Sequence, residues 1–360
     1  MKRSLRSIPG FPGLALLAAL LLGISGQAVA GDEIEINEIV VFGDSLSDTG
    51  NVFALTDLNP DFPIPIPASP TWFEGRFTNG PVWHEAFADG LGVMPQSLPA
   101  FGGGLNYAFG GAEYGPGFSA TGTPNVGTQI DWYLSGIPPF PFLPASPPGV
   151  PSNDQLFVIN GANNDFIPPG PPADPRELAD TVVDHITTLA AAGARHFLVP
   201  SSVVDETRPG LNPPLDAALF FPETPTAEAK QEILDSVRRF NRRLGLKLFR
   251  LERALNREYD EPVTITVLNL ALAQDFILRR PWFFGIENVT DPALVFPPPE
   301  SLPPGVGPTC FCVGAVPPGV DPDLYFSFDI VHPTARVHEI FGYLALLNVK
   351  WKLALASRRY

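Results

Sequence analysis

Cysteine is almost absent: Cys310 and Cys312 are the only two in 360 residues. A disulfide framework therefore cannot carry the fold. No histidine stands near them in sequence, so a zinc site is not indicated. They read as free or locally bridged thiols without functional weight. Histidine is nearly as sparse, with five in the chain, so a reaction that needs an imidazole has few places to put it. Positive charge is also short: 23 Lys and Arg against 38 Asp and Glu leave a formal charge of −15. Lys and Arg cluster only in one long segment of the middle of the chain, which disfavours nucleic acid and anionic membranes as partners.

Long apolar runs are missing too, with one exception. Leu14 to Ile24 is uncharged and follows Lys2, Arg3 and Arg6. It is too short to span a bilayer comfortably. Ala28-Val29-Ala30 then offers a small-x-small cleavage site, and Asp32, Glu33 and Glu35 follow. That layout is a signal peptide over residues 1–30, implying an exported protein, secreted or periplasmic. Removing its three cations takes the formal charge from −15 to −18. Residues 31–360, about 330 of them, are enough for one large domain.

What the chain has in excess is proline, 43 residues concentrated in 60–70, 138–151, 168–175 and 297–322. Such segments cannot extend a helix or a central strand. They are expected as extended loops. Several carry Phe or Leu, so they are stiffened surface loops or the apolar walls of a substrate cleft.

Between them lie four short apolar runs, Ile39–Phe42, Leu156–Ile159, His196–Val199 and Val263–Leu268. Continuous rather than alternating, they fit strands of a parallel sheet covered on both faces. Helical periodicity is predicted over Pro81–Leu91 and over Pro175–Ala192, the latter with Asp174 as N-cap and Pro175 at the first position. A longer helix starts near Thr224-Pro225 and places Ile233, Val237, Phe240, Leu244, Leu248, Leu251 and Leu255 on one stripe. A last one follows His332-Pro333-Thr334, with Val337, Ile340, Leu344 and Leu347. Strands alternating with helices argue for a layered α/β protein.

The first strand runs into "VVFGDSLSDTGN", which puts Ser45 just past a strand's carboxyl end, where open α/β sheets bind ligands. Alone, such a turn more often caps a helix. A serine nucleophile also needs a base. His84 and His185 fall inside predicted helices, His196 heads a strand, and His338 is one turn into the last helix. His332 stands before that helix with Asp329 three residues upstream. The aspartate can hold one ring nitrogen while the other takes a proton. Donors for a tetrahedral oxyanion are offered by "GGGLNYAFGGAEYGPG", whose glycine amides allow close approach, and by "LFVINGANNDF", a strand ending in two asparagines.

Together these segments resemble the GDSL family of lipases and esterases, the SGNH hydrolases. "VVFGDSLSDTGN" is similar to the first family block, with Ser45 as nucleophile and its amide as one oxyanion donor. "GRFTNGPVWHEAFADGLG" resembles a stretch of the plant-like and bacterial branch. "LNYAFGGA" resembles the second block, whose donor glycine falls on Gly111, with Gly110 as the fallback. "DIVHPT" resembles the fifth block and supplies Asp329 and His332. The third block, usually Gly-x-Asn-Asp, departs here. Ungapped matching gives Asn164 as the oxyanion asparagine and leaves Ala162 in place of the glycine, whereas matching Gly161 gives Asn163.

The resemblance implies a three-layer α-β-α sandwich with a central parallel sheet, flavodoxin-like in style, as one domain over residues 31–360. It implies metal-free and cofactor-free ester hydrolysis through Ser45, His332 and Asp329. The implied partner is a small-molecule or lipid ester, with transient contact to lipid surfaces. Carbohydrate deacetylation and acyl transfer are alternatives on the same fold. A non-catalytic binding protein is disfavoured, because all three residues are in place.

Overall fold

The computed structural model describes residues 34–357 apart from 63, 94–99, 144, 168–171, 205–225, 298–300 and 302–310. The expected leader therefore lies outside the described residues. The four apolar runs are strands β1 (Glu38–Phe42), β2 (Gln155–Ile159), β3 (His196–Pro200) and β4 (Thr264–Leu268), ordered β1-β2-β3-β4 and all parallel. Leu105 to Phe109 runs along the other side of β1. Val41 N donates to Leu105 O (2.9 Å), Tyr107 N to Val41 O (2.7 Å) and Phe109 N to Gly43 O (3.0 Å).

Side chains alternate across the sheet, and each face buries its own apolar layer. Val40, Phe42, Phe157, Ile159, Phe197 and Val199 pack with helices α3 (Val126–Ser135), α4 (Pro175–Ala191) and α5 (Ala227–Glu258). Ile39, Val41, Leu156, Val158 and Leu198 pack with α2 (Trp83–Leu91), α6 (Leu270–Arg279) and α7 (Ala335–Ala356). The result is the expected three-layer α-β-α sandwich. A short α1 (Asn51–Asp57) follows β1, and a parallel pair, β5 (Asn288–Pro292) and β6 (Tyr325–Ser327), precedes α7. Among the described residues no helix is long and apolar enough to cross a membrane.

Local chemistry explains the helix boundaries. Asp174 caps α4 by accepting from Arg176 N and Glu177 N (2.6 and 3.2 Å). The start of the long helix was expected near Thr224-Pro225. Thr224-Pro225 lies outside the described residues, and Thr226 is the N-cap, accepting from Ala229 N at 3.2 Å. The apolar stripe of α5 is buried as expected except Leu251, which is half-buried. Leu347 of α7 is likewise only half-buried. Cys312 is disulfide-bonded; Cys310, the only other cysteine, lies outside the described residues.

Candidate active site

Ser45 projects from the turn after β1, and almost every other polar group of that turn is tied down. Gln129 of α3 clamps Gly43 in both directions, accepting from Gly43 N (2.8 Å) and donating to Gly43 O (2.9 Å). Gly43 must be glycine, because a Cβ there would lie 2.7 Å from Asn160 O. Asp44 is buried and accepts from Leu46 N (3.0 Å), Asn160 Nδ2 (3.1 Å) and Asn163 Nδ2 (3.1 Å). Ser47 O accepts from Asn106 Nδ2 at 2.7 Å and faces His84 Nε2 at 3.0 Å. Asp48 gathers the amides of Gly50, Asn51, Val52 and Gly110 around one carboxylate. Burial still pushes its pKa up to about 6.

Ser45 is the member of this turn whose side chain faces an imidazole. His332 Nε2 lies 2.8 Å from Ser45 Oγ. On the other side of the ring, Nδ1 lies 2.8 and 3.0 Å from the two oxygens of Asp329. A carboxylate accepts, so the proton sits on Nδ1 and leaves Nε2 to accept from the serine hydroxyl. Asp329 is fully buried. It is satisfied by Val331 N (2.8 Å) and His332 N (2.7 Å) on Oδ1, and by Trp72 Nε1 (3.4 Å) on Oδ2.

The loop holding these two residues hangs from β6 and is closed by the Phe328 N to His332 O bond (2.8 Å). The "GRFTNGPVWHEAFADGLG" stretch holds it from outside. Thr78 Oγ1 donates to Pro333 O (2.9 Å), and Ala335 N donates to Asn79 Oδ1 (2.8 Å). That stretch is itself locked by the two-pronged Arg76–Glu85 ion pair, both contacts 2.7 Å and buried. The His332 ring packs against Phe77 and Phe311, centroids 5.1 and 5.2 Å away. The remaining histidines are committed elsewhere: His185 to Tyr114 O, His196 to Thr264 Oγ1 and His338 to Trp83 N.

Ser45, His332, Gly111 and Asn164 line one cleft of about 990 Å³. The neighbouring glycines differ in kind. Gly110 N donates to Asp48, whereas Gly111 N has no acceptor among the described residues. Gly111 has φ +83, and a Cβ there would lie 2.4 Å from Thr121 Oγ1. The asparagines divide in the same way. Asn163 is buried, donating to Asp44 and accepting from Ser202 Oγ and Val203 N. Asn164 lines the cleft, donates one hydrogen to Ala112 O (2.8 Å) and keeps a second. Ala162, where the motif departs from glycine, adopts the left-handed φ of 70 that glycine favours.

The cleft beyond is apolar. Pro60, Phe62, Ile66, Phe140, Phe142 and Phe311 come from three of the proline-rich segments, and Leu55, Leu58 and Ile167 complete the walls. Sequence reasoning missed Trp72, Phe77, Gln129 and the hydroxyl group of Ser119, Thr121 and Thr123, which hydrogen-bond one another at 2.8, 2.8 and 3.2 Å. Trp72 carried a signal as a tryptophan at the end of a proline-rich segment, and Phe77 as part of the GRFTNG stretch.

A parallel three-layer sandwich with serine, histidine and aspartate hydrogen-bonded in series at the sheet's carboxyl edge defines a class of α/β hydrolytic folds. The sequence model of the GDSL-like lipase/acylhydrolase family matches residues 39–344, and the chain belongs to that family. It is similar to the thermolabile hemolysin of Vibrio parahaemolyticus, 33% identical over 46% of this chain and 33% of that one. It is also similar to the phosphatidylcholine-sterol acyltransferase of Aeromonas hydrophila, 27% identical over 50% and 49%. A GDSL esterase/lipase of Arabidopsis thaliana is 27% identical over 52% and 55%. The chain thus spans about a third to just over half the length of these curated relatives.

Proposed function

We propose that this protein is an exported carboxylic-ester hydrolase that accepts acyl chains in the apolar cleft. The observation that carries the reading is the unbroken hydrogen-bond series Asp329–His332–Ser45 opening into that cleft. Ser45 Oγ attacks the ester carbonyl carbon while His332 Nε2 takes its proton. The oxyanion is held by the amides of Ser45 and Gly111 and by the remaining N–H of Asn164. As the tetrahedral species collapses, the alcohol leaves with the proton from His332. Water, deprotonated by the same nitrogen, then attacks the acyl-serine and releases the carboxylic acid.

The cleft supports an acyl substrate over a sugar acetate. Its walls are mostly Phe, Leu, Ile and Pro, with Thr56, Asn59, Thr121 and Thr123 as the polar side chains besides Ser45, His332 and Asn164, and its volume is at the upper end of the roughly 300–1,000 Å³ of ligand sites. The acyltransferase relative supports a second reading, in which an alcohol rather than water intercepts the same acyl-serine. Export rests on the layout of residues 1–30, followed by a single domain over 31–360.

Rates on p-nitrophenyl esters from acetate to palmitate, for the wild type and Ser45→Ala, test the reading. Hydrolysis by the wild type with a chain-length optimum and loss of activity in the variant are expected. Equal rates for the two proteins would remove Ser45 from its role. Added alcohol that diverts acyl product from acid to ester would favour transfer.

A further inference from the structure

The formal charge of −15 hides a segregation. Between Arg6 and Arg176 the chain carries a single cation, Arg76, and that one is locked to Glu85. The cations gather instead on α5: from Ser236 to Arg257 there are eight, against one acid, Glu252. Glu252 is taken by Lys352, and Lys247 by Asp180 of α4.

The periodicity of that helix sorts the rest. Arg242, Leu246, Phe249, Arg250, Arg253 and Arg257 recur at helical steps and share one solvent-facing stripe, opposite the buried Phe240, Leu244, Leu248 and Leu255. The stripe is about 22 Å long. Its four arginines are exposed and form no ion pair among the described residues. Leu246 and Phe249, 53% and 62% exposed, stand among them, with Arg253 lying 5.9 Å over the Phe249 ring.

A solvated helix face explains arginines but not a leucine and a phenylalanine in their midst. A nucleic-acid duplex or an acidic peptide would match the charge and leave the apolar pair unused. A leaflet with anionic headgroups uses both, the guanidinium groups on phosphates and the apolar side chains below them. We propose that the outer face of α5 docks on anionic phospholipid surfaces. This docking is independent of the ester chemistry and is read by binding alone.

The test is co-flotation of the full chain with vesicles of phosphatidylglycerol or of phosphatidylcholine at low and high salt. Binding to phosphatidylglycerol only, weakened by salt, is expected. Each arginine near an anionic surface contributes about fivefold in partitioning, so R242Q/R250Q/R253Q should bind roughly a hundredfold more weakly. Phe249→Ser should weaken binding at constant charge. All four positions are exposed, and thermal unfolding checks that the variants fold. No flotation with phosphatidylglycerol, equal flotation with both lipids, or undiminished binding by the triple variant would overturn the proposal. So would DNA binding insensitive to Phe249→Ser, which marks a general polyanion site, or a dimer in sedimentation that the triple variant breaks.

Discussion

Gly111→Ala puts a methyl group where the backbone and a neighbour both forbid it. The residue sits at φ +83, where an L side chain costs about 1–2 kcal/mol. The new Cβ would also approach Thr121 Oγ1 to 2.4 Å. Thr121 must then turn away from Ser119 and Thr123, losing bonds worth about 1 kcal/mol in total. The expected destabilisation is therefore about 2–3 kcal/mol, read by urea unfolding. Thr121→Ala removes the obstructing hydroxyl and leaves Thr123 Oγ1, at 3.4 Å, as the nearest contact. In the double variant the steric part has already been spent while the φ part remains. It should be about 1 kcal/mol less destabilised than the sum of the two single changes. If the Gly111 amide holds the oxyanion, kcat falls at least about tenfold in Gly111→Ala, toward the ~10²–10³ typical of a lost donor. A variant destabilised as calculated but with unchanged kcat would take Gly111 out of the oxyanion hole. Additive stabilities would refute the contact with Thr121.

Three further outcomes are expected. Trp72→Phe keeps the aromatic packing against Phe328 and Phe311 but removes the long hydrogen bond to Asp329; kcat should fall about three- to tenfold with KM unchanged, and a change in KM alone would contradict a positioning role. Asn164→Ala should lower kcat about a hundredfold or more with little change in unfolding, whereas Asn163→Ala should chiefly destabilise by stripping Asp44 of a buried donor; the reverse pattern would exchange their roles. Burial lowers the pKa of His196 from 6.5 to about 4, so its stabilising contribution is complete above 6.5 and is lost as pH falls toward 4. That loss is about 3 kcal/mol. Asp48, pushed up to about 6, acts oppositely by taking its proton first in the folded state, so the measurement is the difference in the pH dependence of the urea-unfolding free energy between wild type and His196→Gln; parallel pH profiles would refute it.

The sheet was legible because its strands are buried on both faces. A continuous run such as Leu156–Ile159 has no competing reading once turn residues bound it. The long amphipathic α5 and α7 were legible for the complementary reason, a sustained stripe of apolar residues. A helix was expected to follow the Ser45 turn, as α1 does, whereas α3 and α6 were not anticipated. Residues Val126–Ser135 contain Gly127, Thr128 and Gln129, and the helix exists because Val126, Ile130 and Tyr133 bury against β1 and β2, a tertiary cause invisible in a ten-residue window. β5 and β6 are short, and they form a two-stranded sheet apart from the four-stranded one. At the site, residue types and order pointed to Ser45, Asp329 and His332. The supports did not show, since Gln129 on Gly43 and Trp72 on Asp329 join positions 86 and 257 residues apart.

The carboxylates around Ser45 show why the distant aspartate, rather than a near one, faces the imidazole. Asp44 and Asp48 are closer in sequence, yet the oxygens of each are occupied by amides of the turn itself, of β2's carboxyl end or of the 105–111 loop. Turning either toward a base would leave buried N–H groups unpaired, at roughly 1–3 kcal/mol each. They are spent on shape. Ser45 can be presented in one orientation because its neighbours have no alternative partners. Asp329 is built on the same plan from the opposite side. Two backbone amides and Trp72 fix the carboxylate, and Nδ1 of His332 takes the remaining approach. Ser45 and the His332–Asp329 pair thus meet across the cleft from two separately hydrogen-bonded loops, joined among the described residues by the 2.8 Å contact between His332 and Ser45.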